Sequence, residues 1–147
     1  MSYKFIDHTA DVMFEVKCKT LEEVFESAAL ATFEVQVTLK DVKRTVKKKI
    51  KLKNEGIEDL LFDFLEELIY IKDVNSLLFS KFSIKIKENL LEKRSQKKGF
   101  VLECVAEGEK INPKKHELKT DVKAPTLHRF KLEKCGNYWR AVVILDI

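Results

Sequence analysis

From Asp11 to Lys19 apolar and polar residues alternate, with Val12, Phe14, Val16 and Cys18 on one face and Met13, Glu15, Lys17 and Lys19 on the other. A period of two is that of a strand with one face buried. The period then changes. Leu21, Val24, Phe25, Ala28 and Ala29 recur at helical spacing after Thr20, and Glu23 stands three residues beyond it as a T-x-x-E capping box. A first helix is predicted over about Leu21 to Phe33. In "KDVKRTVKKKIKLK", Val42, Val46, Ile50 and Leu52 are interleaved with cations, which predicts a strand from about Arg44 to Lys53. Gly56 opens the clearest helix. Ile57, Leu60, Leu61, Phe64, Leu65, Leu68 and Ile69 keep one stripe, Glu58, Asp59, Asp63, Glu66 and Glu67 stay outside it, and the acidic first turn suits the helix dipole.

The second half reads as strands. Phe82, Ile84 and Ile86 alternate with Ser83, Lys85 and Lys87; "GFVLECVAEGE" alternates from Phe100, and the polar "NLLEKRSQKKG" between them suits a hairpin turn. Pro125 has no N–H for a ladder, so the next strand is expected after it, from about Leu127 to Lys134. Cys135-Gly136-Asn137 then turns the chain into "YWRAVVILDI". That strand is apolar on both faces, Trp139, Ala141, Val143 and Leu145 opposite Val142 and Ile144, and is expected to be central in its sheet. The order β, α, β, α and then strands predicts an α+β fold, a single domain with two main helices packed on a largely antiparallel or mixed sheet.

With 147 residues and 45% hydrophobic content, the chain can bury a core as one domain over 1–147. The formal charge of +4 is a mild basic excess, far below that of a dedicated nucleic-acid arm. The run from Lys40 to Lys53 reads first as a solvated strand face, ahead of a surface for RNA phosphates. Cys18, Cys104 and Cys135 are odd in number and widely spaced, which suits small buried apolar residues rather than a disulfide framework or a zinc site. "MSYKFIDHTAD" has charges where a signal peptide needs its apolar stretch, and no apolar run approaches the ~20 residues of a membrane span. A cytoplasmic protein with no membrane partner is expected. The chain has no P-loop, G-x-G-x-x-G or G-x-S-x-G motif.

Four stretches carry candidate chemistry. "FIDHTAD" sets Asp7, His8 and Asp11 within five positions, as a metal or catalytic site or as a polar strand entry. At the other end, Asp146-Ile147 brings a side-chain carboxylate next to the terminal group at the end of a buried strand, where paired charge is costly unless neutralised or solvated. A hard cation such as Ca²⁺ or Mg²⁺ takes oxygen ligands, so Asp11, Asp146 and the terminal group could share one if the first and last strands are neighbours, which the pattern does not show. His8, His116 and His128 have no zinc spacing. In "KAPTLH", Lys123 and His128 flank Thr126, as phosphate or acid–base groups or as a polar strand edge. "GEKINPKKHE", residues 108 to 117, is expected to present Glu109 and His116 on a loop.

Taken together, "DHTADVMFEVKCKTLEEVFESAALATFE", "GEKIN" with the later His116, "KAPTLHRF" and the terminal "WRAVVILDI" resemble the archease family across essentially the whole chain. The resemblance implies a non-enzymatic accessory protein of the RtcB-type tRNA-splicing ligase, one that promotes guanylylation of the ligase, permits multiple turnover and broadens its nucleotide use, with tRNA met only indirectly or weakly. It also implies a Ca²⁺ site formed by Asp11, Asp146 and a main-chain or terminal oxygen of Ile147; His8, Glu109, His116, Lys123, Thr126 and His128 are candidate supporting residues. The family's usual lysine-alanine-valine-threonine-tyrosine-histidine stretch keeps Lys123, Thr126 and His128 here and departs from it at Pro125 and Leu127, and Val12-Met13 replaces a common isoleucine-glycine. Two other classes remain open on the residues alone: a metal-dependent enzyme acting on RNA or nucleotides, with His8, Lys123 or His128 as acid or base, and a general chaperone-like binding module.

Overall fold

Thr20 ends the first alternating stretch because its side chain serves a helix better than a strand. The Glu23 N–H donates to Thr20 Oγ1 at 3.2 Å, the Thr20 hydroxyl donates to the Glu23 carboxylate at 3.0 Å, and helix α1 follows over Leu21–Glu34. In the computed structural model, which describes residues 2–6 and 11–147, this is one of two long helices. The other, α2, spans Ile57–Asn75 with Gly56 as its N-cap residue, and ends where Ser76 takes a left-handed conformation at φ 54°.

Among the described residues seven strands surround them: β1 (Ser2–Ile6), β2 (Val12–Cys18), β3 (Val46–Asn54), β4 (Leu77–Glu92), β5 (Lys97–Lys110), β6 (Ala124–Cys135) and β7 (Tyr138–Asp146). They form two sheets, ordered β1-β2-β7-β6 and β3-β5-β4, and every pairing is antiparallel. The expected α+β class holds, with two sheets in place of one. β7 is internal, as its two apolar faces require.

Both helices lie against both sheets, α1 touching β2, β7 and β4 and α2 touching β6, β3 and β5. One apolar cluster therefore runs through the layers. Phe14 and Val143 from the four-stranded sheet meet Phe25, Phe33, Phe64 and Leu68 from the helices and Phe79 and Leu102 from the three-stranded sheet, all essentially without solvent access. Each such side chain contributes about 1.5–3 kcal/mol by leaving water. Edge-to-face packing of Phe33 on Phe79, with centroids 5.7 Å apart, ties α1 to β4. Cys18 and Cys104 are buried, Cys135 is half-buried, and all three are free; burial pushes the Cys104 thiol up to about 12, with Glu26 adding to the effect. Among the described residues no helix is long and apolar enough to cross a membrane.

Three local expectations are corrected. β1 is a strand that the pattern did not predict; with only five residues, it takes its order from pairing with β2, Tyr3 opposite Val16. β6 starts at Ala124 and includes Pro125, opposite Leu145; it is an edge strand, where a missing N–H costs no ladder bond on the open side. Glu109 belongs to β5 rather than to a loop.

Candidate metal centre

Val12 pairs with Leu145 and Met13 with Ile144 across β2 and β7. That register carries Asp11, the residue before β2, and Asp146, the last residue of β7, to the same end of the sheet. The start of β6 arrives there too, with Ala124 opposite Asp146 and the Lys123 N–H donating to the Asp146 carbonyl at 2.8 Å. Asp146 shares the strand face of Val142 and Ile144, which with Met13 and Ile6 form a small apolar cluster separate from the main core. Two acidic residues thus stand at one end of the sheet beside this apolar patch, Asp11 half-buried and Asp146 exposed next to Ile147. Among the described residues no lysine, arginine or histidine side chain pairs with either of them.

The donors at this end suit a hard cation. They are carboxylate and main-chain oxygens, joined by Thr126, which lies opposite Ile144 and whose Oγ1 is buried with no hydrogen-bond partner among the described residues. A buried hydroxyl without a partner costs about 1–3 kcal/mol, which an ion or water at this end would offset. Among the described residues no three His, Cys, Asp or Glu side chains converge, so a cation here would complete its 6–8 oxygens from main-chain, hydroxyl or water ligands. Asp7 and His8 lie outside the described residues.

The other expected residues fall in two places. Lys123 and His128 are exposed on either side of Thr126, but β6 does not run straight between them. Its register steps from Thr126 opposite Ile144 to Lys131 opposite Val142, so Leu127, His128 and Arg129 bulge from the edge, with Arg129 at φ 55° and Leu127 74% exposed.

Glu109 and His116 form a separate latch. The Glu109 carboxylate accepts from the Lys43 N–H at 2.6 Å, from Lys115 Nζ at 2.7 Å and from His116 Nε2 at 2.9 Å. His116 Nδ1 accepts the Asn112 N–H at 2.9 Å, which makes Nε2 the protonated nitrogen and the donor to Glu109. The Lys115 hydrogen bond, working against burial and helped by Lys43 and His116, holds the Glu109 carboxyl down at about 2. The latch fastens the loop after β5 to the chain entering β3.

Two polar networks were missing from the sequence reading. Lys72 is only 4% exposed, and its ammonium donates to Gln36 Oε1 at 2.6 Å, Asp121 Oδ1 at 2.7 Å and the Val122 carbonyl at 2.9 Å. It therefore fixes the two residues before Lys123, and through them the strand that meets Asp146. Its position was legible: Lys72 continues the buried stripe of α2 at four residues from Leu68 and three from Ile69. On β2, Glu15 is 7% exposed and accepts from Arg140 Nε at 2.7 Å. Burial pushes its carboxyl up, but Arg140, with Lys17 and Lys4, outweighs this and holds it below the ordinary range.

Known proteins share this architecture and sequence. The model of the Archease protein family (MTH1598/TM1083) matches residues 3–147. Protein archease of Pyrococcus furiosus is 40% identical over 147 residues, covering 99% of this chain and 98% of that protein. Protein archease of Methanosarcina mazei is 36% identical, covering 99% and 95%. The solution structure of Methanobacterium thermoautotrophicum protein 1598 superposes with a TM-score of 0.80 at 34% identity, covering 99% of this chain and 98% of that one. The crystal structure of an archease from Thermotoga maritima, at 24% identity, a TM-score of 0.62 and coverage of 98% and 96%, shares the fold. With the family model and these relatives spanning nearly every residue, the chain belongs to the archease family.

Proposed function

We propose that this chain activates an RtcB-type tRNA-splicing ligase, promoting its guanylylation and multiple turnover and broadening its nucleotide use, and is not itself an enzyme. The observation that carries the reading is the β2–β7 register, which brings Asp11 and Asp146 from opposite ends of the chain to one strand end. There Asp11, Asp146 and a main-chain or terminal oxygen of Ile147 would hold Ca²⁺, which would neutralise the two carboxylates and present a charged, oxygen-rich tip. Lys123, Thr126 and His128 border the tip, His8 supports it by its place in H-T-A-D, and Glu109 and His116 act at a distance by fixing the loop that leads to Lys123. A ligand moves an equilibrium only through differential affinity, so the tip must bind the guanylylation-competent form of the ligase more tightly than the other forms. The setting is the cytoplasm, and tRNA meets this end of the protein indirectly.

The test is guanylylation and repeated ligation by the cognate ligase, with and without the protein, before and after chelation. Wild-type protein supports many turnovers; Asp146→Ala, folded as judged by circular dichroism, supports one or few. An Asp146→Ala protein as active as wild type would sink the tip model. Two other classes give different results. Turnover of RNA or nucleotide by the isolated chain would identify an enzyme. The Thermotoga maritima protein is described as a possible chaperone; a general chaperone role here would appear as stimulation of unrelated clients, indifferent to Asp11 and Asp146.

A further inference from the structure

The outward face of the three-stranded sheet is a ladder of lysines. Strand register puts Lys47, Lys49, Lys51 and Lys53 of β3 opposite Glu107, Val105, Glu103 and Val101 of β5, and these opposite Lys81, Ser83, Lys85 and Lys87 of β4. Alternation directs all of them to the side away from buried Ile50, Phe82, Leu102, Cys104 and Ala106, and every one of the seven lysines is exposed. Seven lysines against two glutamates leave this face with more positive charge than the +4 of the whole chain. The two glutamates are shared out, Lys51 with Glu103 at 3.9 Å and Lys81 with Glu107 at 3.7 Å, while Lys49, Lys53 and Lys87 stand beside the neutral floor of Val105 and Val101. The face is also hollow. One recess of about 630 Å³ is lined by Lys51, Lys53, Lys85, Lys87, Asn89 and Val101, and an adjoining one of about 530 Å³ by Lys49, Ser83 and Val105.

We propose that this face binds the phosphate backbone of a base-paired RNA stem, at a site separate from the Asp11–Asp146 tip. Successive lysines on one strand are about 7 Å apart, two residues of strand rise, and the two lysine columns are about 10 Å apart, two inter-strand spacings. Such a pair of parallel cationic rows, on either side of a recessed floor in which valine alternates with glutamate, follows two phosphate strands. The face carries no aromatic side chain, so it has no stacking platform for the bases of a single strand. Recognition is then of shape and phosphate rather than of sequence, as is usual for double-stranded RNA. The choice of RNA over other polyanions rests on the ligase reading above, but the site does not: it is measured on the isolated chain.

The experiment titrates a fluorescent RNA hairpin stem, a single-stranded RNA of the same length, and vesicles of anionic phosphatidylserine with the isolated protein over a range of salt. The stem is expected to bind more tightly than the single strand, with an affinity that falls steeply with salt. The variant K51E/K85E should bind the stem at least tenfold more weakly and lower the salt slope by about 2, since each phosphate contact on a duplex contributes about 0.9. K19E/K114E, with the same change in net charge away from the face, should bind like wild type. K51E/K85E should still promote guanylylation of the ligase in the absence of RNA, so a failure of the tip model and a failure of this one are distinguishable. Binding by K51E/K85E within twofold of wild type, or binding of wild type to the vesicles and not to the stem, would overturn the proposal.

Discussion

Val12 lies directly opposite Leu145, and this one pairing places the first candidate carboxylate beside the last. Both residues are apolar, and both are held by burial of the sheet against the helices, so the geometry of the tip is set by core packing rather than by its own charges. That separation of roles makes its energetics testable.

Calcium should stabilise the wild-type protein and not its carboxylate variants. A ligand that binds only the folded state adds RT ln(1 + [L]/Kd), about 2.7 kcal/mol at 100 times Kd. Differential scanning calorimetry with and without Ca²⁺ should show a rise in Tm for wild type and none for Asp11→Ala or Asp146→Ala. In chelator, the two variants should melt at or slightly above the wild-type temperature, because a repelling charge has gone. A variant that keeps the full calcium-dependent rise is not missing a ligand.

Replacing Lys72 by methionine keeps the aliphatic stem packed and removes the ammonium. Its ion pair with Asp121 contributes little, since the Asp121 side chain is 73% exposed. The loss comes from the buried Val122 carbonyl, left without its donor, and from Gln36 Oε1, left with only the Val122 N–H at 3.3 Å. Lys72→Met should cost about 1–3 kcal/mol in urea unfolding, and should raise amide exchange at Val122 and Lys123 ahead of β6. Unchanged exchange at those two amides would show that Lys72 does not hold the approach to the tip.

Glu109 predicts a specific acid limb. Its carboxyl titrates at about 2 in the folded protein against an ordinary 4.5 when free, so the folded state favours the ionised form. Its contribution to stability is complete above about 4.5 and is lost as pH falls through about 2. The difference in urea midpoint between wild type and Glu109→Gln should therefore be full at neutral pH and should shrink progressively over that window. A difference that stays constant down to the bottom of the window would mean that the latch does not depend on the charge of Glu109.

Much of this molecule was legible in its sequence. The period of two in β2, the capping box at Thr20, the stripe of α2 and the double-faced apolarity of β7 each follow from local physics, because a residue's neighbours along the chain decide which face it shows. Oxygen chemistry raised Asp11 and Asp146 as a candidate pair only on the condition that the first and last strands are neighbours, and nothing local links the two ends. Tertiary structure decided the rest. It made β2 and β7 neighbours, placed Pro125 on an open edge, bulged Leu127 to Arg129 outward, and turned Glu109 and His116 into a latch. It also aligned the lysines of β3 and β4 on either side of β5. The reason is the same each time: strand order and register are set by long-range burial of apolar faces, and a spacing pattern carries the face of a residue but not the identity of the strand beside it.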